Sequence, residues 1–129
     1  MHIADYEEAP LTKVDVDSCF DQLVAFARNM PSQDLVHADV GFDSHDIRLK
    51  LSNPTFSHEL NWGVALQAAA GLANHIQNSG LYHGKLVRIQ IQGTERYCGG
   101  FILGRLDTLL LNTNITLSAT LPGTTLTLR

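Results

Sequence analysis

Six histidines and two cysteines are the residues of this chain best suited to chemistry: His2, His37, His45, His58, His75 and His83, with Cys19 and Cys98. No two histidines stand at the spacing that puts a metal-ligand pair on one helix face. His58-Glu59 opens like the zinc-protease motif H-E-x-x-H, but position 62 is Trp, so the motif is absent. There is no Cys-x-x-Cys, and no metal site is expected. No cofactor is expected either. Gly93, Gly99, Gly100 and Gly104 have neither the spacing of a phosphate loop nor a following helix, and no Gly-x-Ser-x-Gly elbow occurs. Two catalytic candidates remain. His75 shares an apolar helical stripe with Leu72 and Ile76, which reads as a core histidine bonded to backbone or as a general base. Cys98 precedes Gly99-Gly100, which would leave backbone open beside a thiol, and a Cys98 nucleophile with His75 as its base is a legitimate arrangement. The competing reading of Cys98 is a buried structural thiol. Cys19 and Cys98 are expected to be free, since two distant cysteines do not make a disulfide framework.

The binding candidates are basic. Arg48, Lys50 and Arg88, with Lys85 beside them, read as the outward face of a sheet, where they could hold an anion or a nucleic-acid backbone. Asp39 is placed to neutralise Lys50, and no aromatic stacking residues clearly share that face, so a solvated sheet face competes with the site. The net charge of −4 argues against nucleic acid. It conceals an asymmetry. Residues 1–46 hold ten acids and two bases, and residues 47–129 hold three acids and seven bases.

The elements that must position these residues follow from periodicity. Residues 1–13 read as an acidic arm without apolar rhythm, and residues 14–129 as one domain; 129 residues are too few for two cores. Val16, Cys19, Phe20, Leu23, Phe26, Ala27 and Met30 predict an amphipathic helix, capped by Asp15 or Asp17 and ended by Pro31. Val36, Ala38, Val40 and Phe42 alternate with polar residues, as do Ile47, Leu49 and Leu51. With 43–46 as the loop, Phe42 faces Ile47, Val40 faces Leu49 and Asp39 pairs with Lys50. A second helix is predicted from Leu60 to about Asn78, capped by Ser57 and stopped by Gly80. It is apolar nearly all round, which predicts burial nearly all round. Val87, Ile89 and Ile91 then face Phe101, Gly99 and Tyr97 across a turn at 93–95, with Gly99-Gly100 able to hold a bulge. A turn is expected from Gly104 to Asp107. Leu109 to Leu121 and residues 124–128 predict two more strands around Pro122-Gly123.

The fold expected is therefore α+β: a mainly antiparallel sheet of about six strands, with two helices, one long and buried, on one face. The run Trp62-Gly63-Val64-Ala65-Leu66 through Gly71-Leu72, then Asn78-Ser79-Gly80 and Lys85 to Gly104, resembles a pattern in small uncharacterised fungal α+β proteins. That resemblance covers about a third of the chain and implies an accessory or effector type, with no site residue transferred.

Two functional readings follow. One is a non-catalytic binding or protein-interaction module, its partner a protein paired to a sheet edge or a small apolar ligand. The other is a small cofactor-free enzyme, an isomerase, cyclase or hydrolase, with an apolar pocket between helix and sheet. An open sheet edge could also carry a second copy. No membrane span is expected, and the acidic start of the chain has no signal-peptide pattern. The protein is thus expected in the cytoplasm unless this is a mature secreted form.

Overall fold

A computed structural model describes residues 1–106 except Glu8, Thr55, Phe56 and Gln92. The chain runs β1 (His2–Glu7), α1 (Lys13–Arg28), β2 (Val40–Ser44), β3 (Ile47–Ser52), α2 (Trp62–Ser79), β4 (Gly84–Gln90) and β5 (Tyr97–Arg105). The strands make one open antiparallel sheet in the order β1-β4-β5-β3-β2. The α+β class is as expected. Five strands are present among the described residues rather than six. The two strands expected after residue 108 lie outside the described residues. No helix of the described residues is long and apolar enough to cross a membrane.

The largest departure is at the start of the chain. The expected acidic arm contains an edge strand, with His2 opposite Arg88, Ile3 opposite Val87 and Asp5 opposite Lys85. Its apolar rhythm is nearly silent because ladder hydrogen bonds and the ion pairs of Asp5 hold it, with Ile3 packed against the core.

In α1, Val16, Cys19, Phe20, Leu23 and Ala27 are buried, as their spacing requires. The helix starts at Lys13, with Thr12 at the cap position and no side-chain cap bond. Asp15 and Asp17 are therefore inside the first turns and do not cap. Asp17 accepts from Lys13 at 2.8 Å. Phe26, expected inside, is 42% exposed and leans on Trp62 and Phe42, ring centroids 5.1 and 5.7 Å away.

The predicted long helix is α2, but its cap is Asn61, whose Oδ1 accepts from Val64 N at 2.8 Å. Ser57 instead accepts from Glu59 N in the turn before it. Gly80 ends α2 with φ +69° as expected, its N–H bonded to Ile76 O. Only one stripe is buried: Trp62, Ala65, Ala69, Leu72 and Ile76. Gln67, Ala70, Gly71, Asn74 and His75 face water. The expectation of all-round burial is corrected because its alanines and glycine are apolar in type but present little apolar surface.

The β2–β3 hairpin closes on two residues, His45 and Asp46, rather than four. Val40 is opposite Leu51, Phe42 opposite Leu49 and Ser44 opposite Ile47. Each pairing moves by two residues, so every side chain keeps its expected face. His45 adopts φ +52°, which permits the tight turn. Strand β2 begins at Val40; Val36 N instead donates to Leu60 O. In β4–β5, Val87 faces Phe101 and Ile89 faces Gly99 as predicted. Gln90, not Ile91, faces Tyr97, because the register shifts around Cys98. β5 runs through Gly104 to Arg105, in place of the expected turn.

Ile47, Leu49, Leu51, Val87, Phe101 and Leu103 share the sheet face that packs with Leu23 of α1 and Ala65, Ala69, Leu72 and Ile76 of α2. All are at most 1% exposed.

Candidate functional site

The two catalytic candidates are not brought together. His75 stands on the open face of α2, so the expected core histidine is exposed. Cys98 is buried in the β5 bulge, its thiol 3.5 Å from Ile89 O. Burial raises the Cys98 pKa above 9.0, so the thiolate needed for attack is disfavoured. Cys19 is likewise free and buried, and burial pushes its thiol up to about 11.

The basic candidates divide. Arg48 and Lys50 do stand together, beside Gly41 and Asp39 in a shallow recess of about 280 Å³. Each already has an acid. Arg48 donates twice to Asp43, at 2.6 and 2.9 Å, and Lys50 lies 3.1 Å from Asp39. The Arg48 hydrogen bonds and charge hold Asp43 below the usual carboxylate range. Arg88 is across β5 from this pair, 4% exposed, with its guanidinium 5.1 Å from the Tyr97 ring centre. Ile102 is buried too. The expected solvated sheet face is therefore limited to the β2–β3 side. Lys85 has the parity of Val87 and Ile89, not of Arg88, and its side chain is 2% exposed.

Two polar clusters are invisible to periodicity because each joins residues far apart in the chain. In the first, Lys85 donates to Asp5 of β1, and His83 lies 3.4 Å from the same carboxylate. Burial pushes Asp5 up, but the Lys85 bond and charge, with those of His83, outweigh it and hold it below 3.8. In the second, one oxygen of Asp15, in the first turn of α1, accepts from Ser44 Oγ at 2.8 Å and lies 2.6 Å from His45 Nδ1. The residue types are those of a hydrolytic triad, but the serine and histidine share one acceptor, which is not a nucleophile–base relay. Among the described residues no three His, Cys, Asp or Glu side chains are arranged to hold a metal ion.

The third feature is a groove between the helices, of about 310 Å³. Asp17, Phe20, Asp21 and Val24 of α1 form one wall; Ala69, Ala70, Ala73 and Gln77 of α2 form the other. The lining has two acids and no base. Asp17 is tied to Lys13, while Asp21 has no ionic partner among the described residues. The α2 sequence from Trp62 to Ser79 contains no Asp, Glu, Lys or Arg, so its exposed residues are polar only through Gln67, Asn74, His75, Gln77, Asn78 and Ser79. The missing charge is legible in the sequence, where it points to burial rather than to an open face.

No family model, curated protein or solved structure matches this chain.

Proposed function

We propose that this protein is a non-catalytic interaction module that takes a basic, amphipathic helical segment of a partner protein in the groove between α1 and α2. The observation that carries this reading is the uncharged open face of an 18-residue helix beside an acidic wall. A helix that faces only water normally carries charge on its outer face, and the centres of interfaces are depleted of it. Ala70 and Ala73 allow a partner backbone to come close, with short or medium apolar side chains over them. Asp17 and Asp21 then meet basic side chains at the rim, where complementary charge guides encounter. The non-catalytic side of the reading draws support from the separation of His75 and Cys98.

The test is nuclear magnetic resonance titration with two synthetic helical peptides of the same apolar pattern, one lysine-rich and one glutamate-rich. The basic peptide is expected to shift Asp21, Val24, Ala70 and Ala73, and Ala73→Glu or Asp21→Lys to abolish those shifts. Equal response to the acidic peptide, shifts elsewhere, or none at millimolar peptide would overturn the reading.

A further inference from the structure

We propose that His45 and Asp15 form a protonation-controlled latch between the β2–β3 turn and the first turn of α1. Asp15 is buried on its helix, while the His45 side chain is 84% exposed, so protons reach the latch freely from water. The shared Asp15 oxygen has two partners, Ser44 Oγ and His45 Nδ1. With the imidazole charged, both ring nitrogens carry protons and the turn is held by an ion pair. With it neutral, only the tautomer protonated on Nδ1 can donate to Asp15. The other tautomer would set two acceptors 2.6 Å apart and must swing away. Deprotonation thus leaves a nearly buried carboxylate with Ser44 alone, or with a neutral bond that restricts the tautomer.

Among the described residues, most other charges near the latch are already engaged elsewhere. Asp46 adds a second negative charge near His45. Asp43 is held by Arg48, Lys13 by Asp17, and Arg105 donates to Pro10 O. The Asp15 hydrogen bond and charge raise the His45 pKa above 6.5, and the His45 and Ser44 bonds lower that of Asp15 below 3.8. The latch contribution is therefore fully present below pH 6.5 on the histidine side, and is lost as pH rises through the raised His45 value. On the carboxylate side it is lost as pH falls through the lowered Asp15 value. Opening is local. Gln22 Nε2 still donates to Asp43 O at 2.7 Å, and Leu106 N to Asp46 O at 2.6 Å. Asp15 is two residues from Asp17 in the groove wall. On the reading of the groove as a docking site, and only on it, the latch also sets how firmly that wall is seated for a partner.

The test is a pH titration of the full chain followed through the His45 ring signals and the exchange protection of the Ser44 and Ile47 amides. The expected result is a His45 titration above 6.5 that falls in Asp15→Asn, with turn protection lost as His45 deprotonates. His45→Asn removes the titration while suiting the positive φ, and its turn protection should not follow pH through this range. A His45 titration unchanged by Asp15→Asn, or the same pH-dependent protection in His45→Asn, would overturn the latch whatever the groove binds.

Discussion

Replacing Gly99 by alanine should destabilise the fold well beyond the same change at Gly80, for two separable reasons. Gly99 has φ +151°, outside the regions open to L residues. An added Cβ would collide with Ser52 O and stand 2.7 Å from Leu60 Cδ2. The first neighbour is backbone, in β3 beside β5, and gives way only if the sheet shifts. Backbone strain of this kind costs about 1–3 kcal/mol, and overpacking about as much again. A loss of roughly 4 kcal/mol is a large part of the roughly 5–15 kcal/mol usual for a domain. It corresponds to a fall in Tm of roughly 15 °C for a chain of this size. Gly80→Ala is the internal control. Its φ is +69°, and an added Cβ meets nothing within 4 Å, so it bears strain alone, about 1–2 kcal/mol. Urea and thermal denaturation followed by circular dichroism measure both variants. If Gly99→Ala lost no more than Gly80→Ala, the close seat of the β5 bulge against Ser52 would be wrong.

Three further outcomes are expected. Ala69→Leu, at a fully buried position of α2, should cost about 1–3 kcal/mol by overpacking, read as a lower urea midpoint; unchanged stability would place that face in water. Asp5→Asn leaves the buried Lys85 ammonium without its carboxylate and should cost about 1–3 kcal/mol, less than a fully buried pair because Asp5 is 37% exposed. Lys85→Met should restore most of that loss in the double variant. Because the Asp5 pKa is lowered, its contribution is present above pH 3.8 and fades as pH falls through the folded value, a dependence that Asp5→Asn should remove from the acid limb of the stability curve. Cys19 and Cys98 should both resist alkylation in native protein at pH 8 and both react in urea without reductant; absence of free thiol in urea would establish a bridge that the structure does not contain.

The parts of the fold that the sequence announces are those where packing is apolar and periodic. The buried stripe of α1, the two hairpins with their faces, and the Gly80 stop all follow from side-chain type at fixed spacing. The hairpin loop differs from its expected length by two residues because a period of two is blind to such a shift, and only the positive φ of His45 settles it. β1 is hidden in the sequence because its hold is long-range. Asp5 finds Lys85 through the sheet, and neither residue signals the other along the chain. The inward place of Lys85 is encoded, since it keeps step with Val87 and Ile89, but a lysine in that step reads as an exception to the pattern. The groove is half legible. The missing charge on α2 is visible, but apolar periodicity takes no account of the small size of Ala70 and Gly71, which leaves the helix open to water.

The strand order has a consequence for the growing chain. β1 leaves the ribosome before the other described strands, yet its strand neighbour among the described residues is β4, with His2 opposite Arg88. The β2–β3 and β4–β5 hairpins close over short loops, and so can form as soon as they emerge. β1 must wait while most of the described chain that follows it is made. Closing so long a loop costs entropy that only the finished β4 edge can offset. Until then the β4 edge is open and able to accept the same strand from another nascent chain. Exchange of β1 between two chains is therefore the misassembly this topology most invites. Slow translation before β4, or crowding of nascent chains on one message, would favour it.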